Sequence, residues 1–186
     1  MTPFPIKPRP CKQCGTPFVP RNSMHSVCGP VCARKKVKQD KAEERARIVT
    51  RKQALKTIPQ LIAEAQRAFN AYIRTRDRLA GYPCISSGRL LDWSGNAVDA
   101  GHYRSVGAAP HLRFNENNCH AQSKHDNQWK SGNVVDYRIN LIKRIGLAAV
   151  EALECDNHTR KWTREELIAI RLHFVQKRKA LEKGAA

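Results

Sequence analysis

Between residues 59 and 79 the apolar positions fall at helical intervals. Leu61, Ile62, Ala65, Ala68, Phe69, Tyr72 and Ile73 follow the i, i+3/i+4, i+7 spacing of one helix face. Arg67, Arg74, Arg76 and Arg78 lie off that face, and Gly81 and Pro83 stop the helix. The periodicity then disappears over 82–133. Gly, Ser, Asn and His become frequent there and apolar runs are short, which predicts turns and short strands. The helical pattern returns at Val134 with Tyr137, Ile139, Leu141, Ile142 and Ile145, and Gly146 is placed as a C-cap. A short helix is expected over 147–154. Thr163 with Glu166 forms a capping-box signature for a last helix through Leu167, Ile170, Leu172, Phe174 and Leu181.

The N-terminal part reads differently. Residues 34–56 hold ten basic and three acidic side chains with few apolar ones, so they predict a solvated helix or a disordered tether. Residues 1–33 are rich in Pro, Gly and Cys and carry no clear period. No internal repeat is visible.

Composition narrows the class. With 186 residues the chain is one ordinary domain or two small ones. Its 34 Lys and Arg against 16 Asp and Glu leave a net charge of +18. Such an excess favours a polyanionic partner, and nucleic acid is the usual one. No run approaches the roughly 18 apolar residues of a membrane span. The stretch MTPFPIKPRP lacks the apolar segment of a secretory signal. A cytoplasmic setting, with no membrane partner, is therefore expected. Disulfides are rare there, so the seven cysteines point to metal ligation or core packing.

Four of them are paired. Cys11 and Cys14 stand in CKQCG, and Cys28 and Cys32 in CGPVC. Two thiolate pairs on tight turns suit tetrahedral Zn²⁺, and this segment has too few apolar residues to bury free thiols instead. His25, between the pairs, is an alternative ligand. A closed four-thiolate site leaves no position for water, so its expected role is structural.

The chemistry-bearing stretch is DAGHYRSVGAAPHLRFNENNCHAQSKHDNQWKSGN, residues 99–133. Phosphodiester hydrolysis needs a base to activate water and a divalent cation to stabilise the leaving oxygen. A neutral imidazole suits the first task, and Asp and Asn oxygens suit a hard cation such as Mg²⁺ or Mn²⁺. The order D-A-G-H-Y, H-L-R-F-N, N-x-H-A-Q, S-G-N and Y-R-I resembles the phage NinG family, also called Rap. These are recombination endonucleases of the wider HNH, or ββα-metal, nucleases. The resemblance covers nearly the whole chain.

It implies an α+β, mostly helical fold in four parts: a four-cysteine zinc-finger module (1–33), a basic helical DNA-binding arm (34–80), a ββα nuclease core (81–133), and a C-terminal helical region packing on that core (134–186). It implies His102 as general base, Asn118 as the brace of the loop, and Asn127 as a ligand of the catalytic metal. Asp99 is the nearest candidate for the other ligand. Many HNH enzymes place that ligand directly beside the base, where this chain has Gly101. His120 is expected to line the cleft or contact phosphate, and Arg104 and Arg113 to clamp phosphate. Arg34, Lys35, Lys36, Lys38, Arg74, Arg76 and Arg78 are expected on the DNA-docking helices. His111 and His125 are expected to face solvent, and Trp129 to be core.

Relatives hold the ββα unit with a second zinc on two C-x2-C pairs. The matching positions here are Cys84, Ser87, Ser123 and Asp126, which lack three of the four thiols. That zinc is expected to be absent, with an improvised set of Cys84, Cys119, His125 and Asp126 as the lesser possibility. Apolar packing by Leu90, Leu91, Trp93, Leu112 and Phe114 must then hold the unit. The expected function is structure-specific cleavage of branched recombination intermediates, D-loops and Holliday junctions, by a monomer or a homodimer. The alternative is a non-catalytic zinc-finger DNA-binding protein with a decayed nuclease domain. A zinc-dependent RNA- or protein-interaction factor is a third class.

Overall fold

A computed structural model describes residues 7–130 and 132–185. The first six residues and Ser131 of the S-G-N motif lie outside the described residues. The chain divides into two compact units, 1–56 and 57–186.

The first unit begins with a small antiparallel pair, β1 (Arg9–Pro10) and β2 (Pro17–Phe18). A turn closed by the Gly15 N–H on the Cys11 carbonyl, at 2.9 Å, joins them, and Gly15 takes φ +75° there. α1 (Pro30–Ala54) follows, with Pro30 in its first turn, where a missing N–H costs nothing. α1 buries no residue. Its charged side chains pair along its own surface, as Lys36 does with Asp40 at 2.9 Å. Of the two expectations for 34–56, the helix is the one realised.

The second unit is built around a two-stranded antiparallel hairpin. α2 (Ile58–Leu79) starts at a capping box between Thr57 and Gln60. β3 (Val98–His102) pairs with β4 (Cys119–Ser123), His102 facing Cys119 and Asp99 facing Gln122. One wide, π-type helical turn, His125–Trp129, follows β4. Then come α3 (Val134–Ile145), α4 (Leu147–Cys155) and α5 (Arg164–Gly184). Gly146 ends α3 at φ +86°, and the Thr163–Glu166 capping box opens α5.

The helix face read from the sequence is the packed one. Leu61, Ala65, Phe69, Tyr72 and Ile73 of α2 are buried. Phe69 meets Phe174 of α5 edge to face at 4.8 Å and packs with Ala100 and Cys119 of the hairpin. On the other side Ile85, Leu112, Tyr137, Leu141, Val150 and Leu153 form a second cluster. The hairpin packs on α2 and α5 through Ala100 and Cys119, and Tyr137 of α3 reaches it from the second cluster, its hydroxyl donating to the Gly101 carbonyl at 2.9 Å.

Several expectations are corrected. The basic arm drawn over 34–80 is two separate objects: α1 belongs with the cysteine module, whereas α2 buries seven side chains in the second unit. Trp129, expected in the core, is 80% exposed, because the wide turn carries it away from the side on which Asp126 is buried. Leu90 is 91% exposed, because it sits in an irregular loop that turns no face toward the hairpin. Leu91, Trp93 and Phe114 are half-buried, and Leu112 is buried. His111, expected in solvent, is largely covered, with Nε2 at 2.9 Å from the Asp156 carbonyl. His125 is exposed, as expected.

Candidate functional site

The cysteine module comes first along the chain. Cys11, Cys14, Cys28 and Cys32 bring their sulfurs within 4.8 Å of one another. Cys14 to Cys28 and Cys28 to Cys32 each span 3.6 Å. Zn–S bonds of about 2.3 Å in a tetrahedron put sulfurs roughly 3.8 Å apart, so Zn²⁺ fits the cluster. The Gln13 and Cys28 N–H groups point at the Cys11 sulfur, at 3.4 and 3.3 Å. Burial works to raise the Cys11 thiol, but these backbone donors bring it down to about 6. The neighbouring sulfurs of Cys14, Cys32 and Cys11 push Cys28 up to about 12. Four thiolates at this spacing repel, and a divalent cation is what relieves them. His25 is outside the set. Its ring packs on Phe18 at 5.2 Å and its Nδ1 accepts the Arg21 N–H.

His102 ends β3. Its Nε2 lies 2.9 Å from the Arg113 carbonyl. A carbonyl only accepts, so the ring proton sits on Nε2 and Nδ1 keeps its lone pair. Nδ1 makes only a 3.7 Å contact, with the Cys119 sulfur. Burial lowers the His102 pKa, partly offset by the Arg113 carbonyl, so the imidazole is neutral near pH 7.

Asn118, fully buried, holds the loop that carries Arg113. Its Oδ1 accepts the Arg104 N–H at 2.8 Å. Its Nδ2 donates to the carbonyls of Arg104 and Leu112 at 3.0 and 3.3 Å. Its backbone carbonyl takes the Tyr103 N–H at 2.8 Å. One amide therefore ties together the segment just after His102 and the segment just before the carbonyl that orients it.

Asn127 and Asp99 also meet. Asn127 Nδ2 lies 2.9 Å from Asp99 Oδ2, and Gln128 Nε2 lies 3.2 Å from the same oxygen. Asn127 stands inside the helical turn rather than at its cap. Carboxylate and amide oxygens are the hard donors that Mg²⁺ or Mn²⁺ takes, but here Asn127 presents its Nδ2, not its oxygen, to Asp99. This pair and His102 are not joined by any contact. Strand alternation sends Asp99 and His102 to opposite faces, and three residues along a strand span about 10 Å.

Gly101 has a steric cause that the sequence conceals. A Cβ there would lie 1.9 Å from Gln122 Oε1. Gln122 is buried, and its Nε2 is held by Ser86 Oγ and the Gly132 carbonyl, each at 2.6 Å. The slot beside the histidine is occupied by this amide, so no acidic side chain fits it.

The positions at which the resemblance implied a second zinc, Cys84, Ser123 and Asp126, do converge, through hydrogen bonds. The Asp126 carboxylate accepts from Cys84 Sγ at 3.3 Å and Ser123 Oγ at 2.8 Å. The Ser123 N–H points at the Cys84 sulfur. Burial works to raise the Asp126 pKa, but these donors lower it overall. The improvised set does not form. Cys119 faces the Phe69 side of the hairpin, where burial pushes its thiol up, and the Cys11 cluster is the one convergent ligand group among the described residues.

Three residues expected at phosphate are engaged inside the fold. Arg104 donates to the carbonyls of Leu153 and Asp156, which end α4, and to Asn157 Oδ1. Arg76 binds Asp77 at 2.7 Å and the carbonyls of Glu116 and Cys119. His120 is 3% exposed, accepts from Arg76 at Nδ1, and is pushed down to about 3 by burial and then by Arg76. Asp77, at the centre of this network, is fully buried, and its Oδ2 accepts the Ala121 N–H at 2.6 Å. The network pins α2 to β4. Asp77 and Gln122 were missed in the sequence; their only signal is a polar residue among apolar positions. Arg113, half-buried, bonds Gln66. Arg34, Lys35 and Lys38 are exposed on α1, with Lys36 held by Asp40.

Residues 4–184 match the family model described as Bacteriophage Lambda NinG protein. The chain belongs to the NinG family. It is 44% identical to Protein ninG of Salmonella phage P22, with 93% of each chain covered. The same identity and coverage relate it to Protein ninG of Escherichia phage lambda, and Protein ninG of Escherichia phage 933W follows at 42%. No solved structure matches the chain. No described helix of this NinG chain is long and apolar enough to cross a membrane.

Proposed function

We propose that this NinG-family protein is a metal-dependent DNA endonuclease that hydrolyses phosphodiesters in branched recombination intermediates, D-loops and Holliday junctions, in the cytoplasm of a bacterial host. One observation carries the reading. Asn118 and the Arg113 carbonyl together hold His102 as a neutral imidazole with its lone pair on Nδ1. Beyond a 3.7 Å contact with the Cys119 sulfur, that lone pair has no partner among the described residues, which leaves it open to take a proton.

In this reading His102 Nδ1 takes the proton of the attacking water. Asn118 keeps the ring in place without touching substrate. A divalent cation would stabilise charge on the leaving 3′ oxygen; Asp99 and Asn127 are its candidate ligands by motif, but they lie across the hairpin from His102 and do not share its face. The zinc module and α1, with Arg34, Lys35 and Lys38 exposed, supply phosphate contacts without base reading. The hydrogen-bonded Cys84–Ser123–Asp126 cluster would stand in for the expected scaffold zinc and weakens the case for a decayed nuclease domain.

Incubation with a four-way junction and Mg²⁺ or Mn²⁺ tests the proposal. The wild type cuts it, and His102→Ala loses about 100-fold or more of the rate while still binding the junction. Equal cutting by the two proteins rules the reading out. Binding without cutting by either favours the non-catalytic alternative.

A further inference from the structure

α2 and α5 leave a trench along their outer seam. Three cavities follow one another there and share lining residues: Ala68 and Val175 link two of them, and Ala71 and Arg178 link the next two. The alanines make the floor low. The rims carry Arg67, Arg74 and Arg78 from α2 and Arg171, Arg178 and Lys179 from α5, against only Glu64 and Glu182. From Arg67 to Arg78 the helix advances about 16 Å.

The trench ends in a cavity of about 210 Å³ lined by Arg74, Arg78, Arg178, Thr75, Val98 and Trp93. Arg178 is held by Glu182 at 2.8 Å. Among the described residues the guanidinium groups of Arg74 and Arg78 make no ion pair or hydrogen bond. Two unpaired cations beside a third, with an indole in the same wall, form a site for a phosphate attached to a planar ring.

We propose that this seam binds an unpaired DNA strand, with one phosphate among Arg74, Arg78 and Arg178 and the adjoining base on Trp93. The proposal rests on DNA as the partner but not on catalysis. It assigns the seam to a single strand because a base inside a duplex has no free face for an indole. A branched substrate supplies such a strand, so the seam would select branched DNA by what it exposes rather than by sequence.

The test is fluorescence anisotropy with a labelled oligothymidylate and a duplex of equal length, in buffer without divalent metal and with the zinc-loaded chain. Trp93→Ala weakens single-strand binding about tenfold and leaves duplex binding within about twofold. Arg74→Gln/Arg78→Gln weakens it further and lowers the slope of log K against log salt by about 0.7 for each phosphate no longer neutralised. Arg74→Lys/Arg78→Lys retains most of the slope. Oligothymidylate also quenches wild-type tryptophan fluorescence more than that of Trp93→Phe. The proposal is overturned if both variants bind the single strand like wild type, or if they lose duplex binding equally. Failure of junction cleavage with these shifts intact sinks the nuclease reading alone. Active cleavage with unchanged single-strand binding sinks the seam alone.

Discussion

Asn118→Ala separates a positioned histidine from an incidental one. The substitution deletes three hydrogen bonds in a buried site. The Leu112 carbonyl keeps the Asn115 N–H at 3.1 Å. The Arg104 N–H and carbonyl lose their partners. Each such group left unpaired costs about 1–3 kcal/mol, so the sum is about 2–4 kcal/mol once partial access of water to the loop is allowed for. That is a large part of the roughly 5–15 kcal/mol that stabilises a domain. Urea unfolding followed by circular dichroism should show a midpoint about 1–2 M lower, given a slope of about 2 kcal/mol/M. Asn118→Asp does not rescue it, since it replaces the Nδ2 donor with an oxygen facing two carbonyls. Loosening the loop also frees the Arg113 carbonyl, and with it the tautomer of His102. Junction cleavage should fall more than junction binding, under conditions where the variant remains folded. An unchanged urea midpoint with unchanged cleavage would refute the brace.

Further consequences can be measured separately. Cys11→Ser should release zinc by elemental analysis and weaken DNA binding more than it slows the chemical step; bound zinc at wild-type level contradicts the four-thiolate site. Gly101→Ala should destabilise the second unit by about 1–3 kcal/mol, because the new methyl displaces the buried Gln122 amide; an unchanged melting temperature would show that the amide yields freely. His120 has its folded pKa lowered to about 3, so the unfolded chain binds the extra proton first as pH falls. Stability should therefore drop from about pH 6.5 downward toward pH 3, and His120→Gln should flatten that part of the curve in acid titrations. The pH profile of cleavage should rise with a midpoint below the ordinary histidine value of about 6.5, because burial lowers the His102 pKa; a midpoint above it argues against His102 as the base.

Local spacing along the chain is enough to define the helices and the metal module. The 3.6-residue period of Leu61–Ile73 marks the buried face of α2, Thr163 and Glu166 cap α5 across one turn, and two close cysteine pairs bring four thiols together in a cluster that fits zinc. Motif order also places His102 on a strand and Asn118 in its supporting loop. Which cations are free is settled only by packing. Arg74, Arg76 and Arg78 are indistinguishable as letters on one helix. Arg76 is turned inward because Asp77 is buried behind β4, whereas Arg74 and Arg78 open into the seam beside Trp93. Arg104 is consumed by the end of α4, some fifty residues away. The glycine beside His102 is likewise explained only by an amide from the partner strand. Such assignments rest on contacts between residues far apart in sequence, and no local period or spacing encodes them.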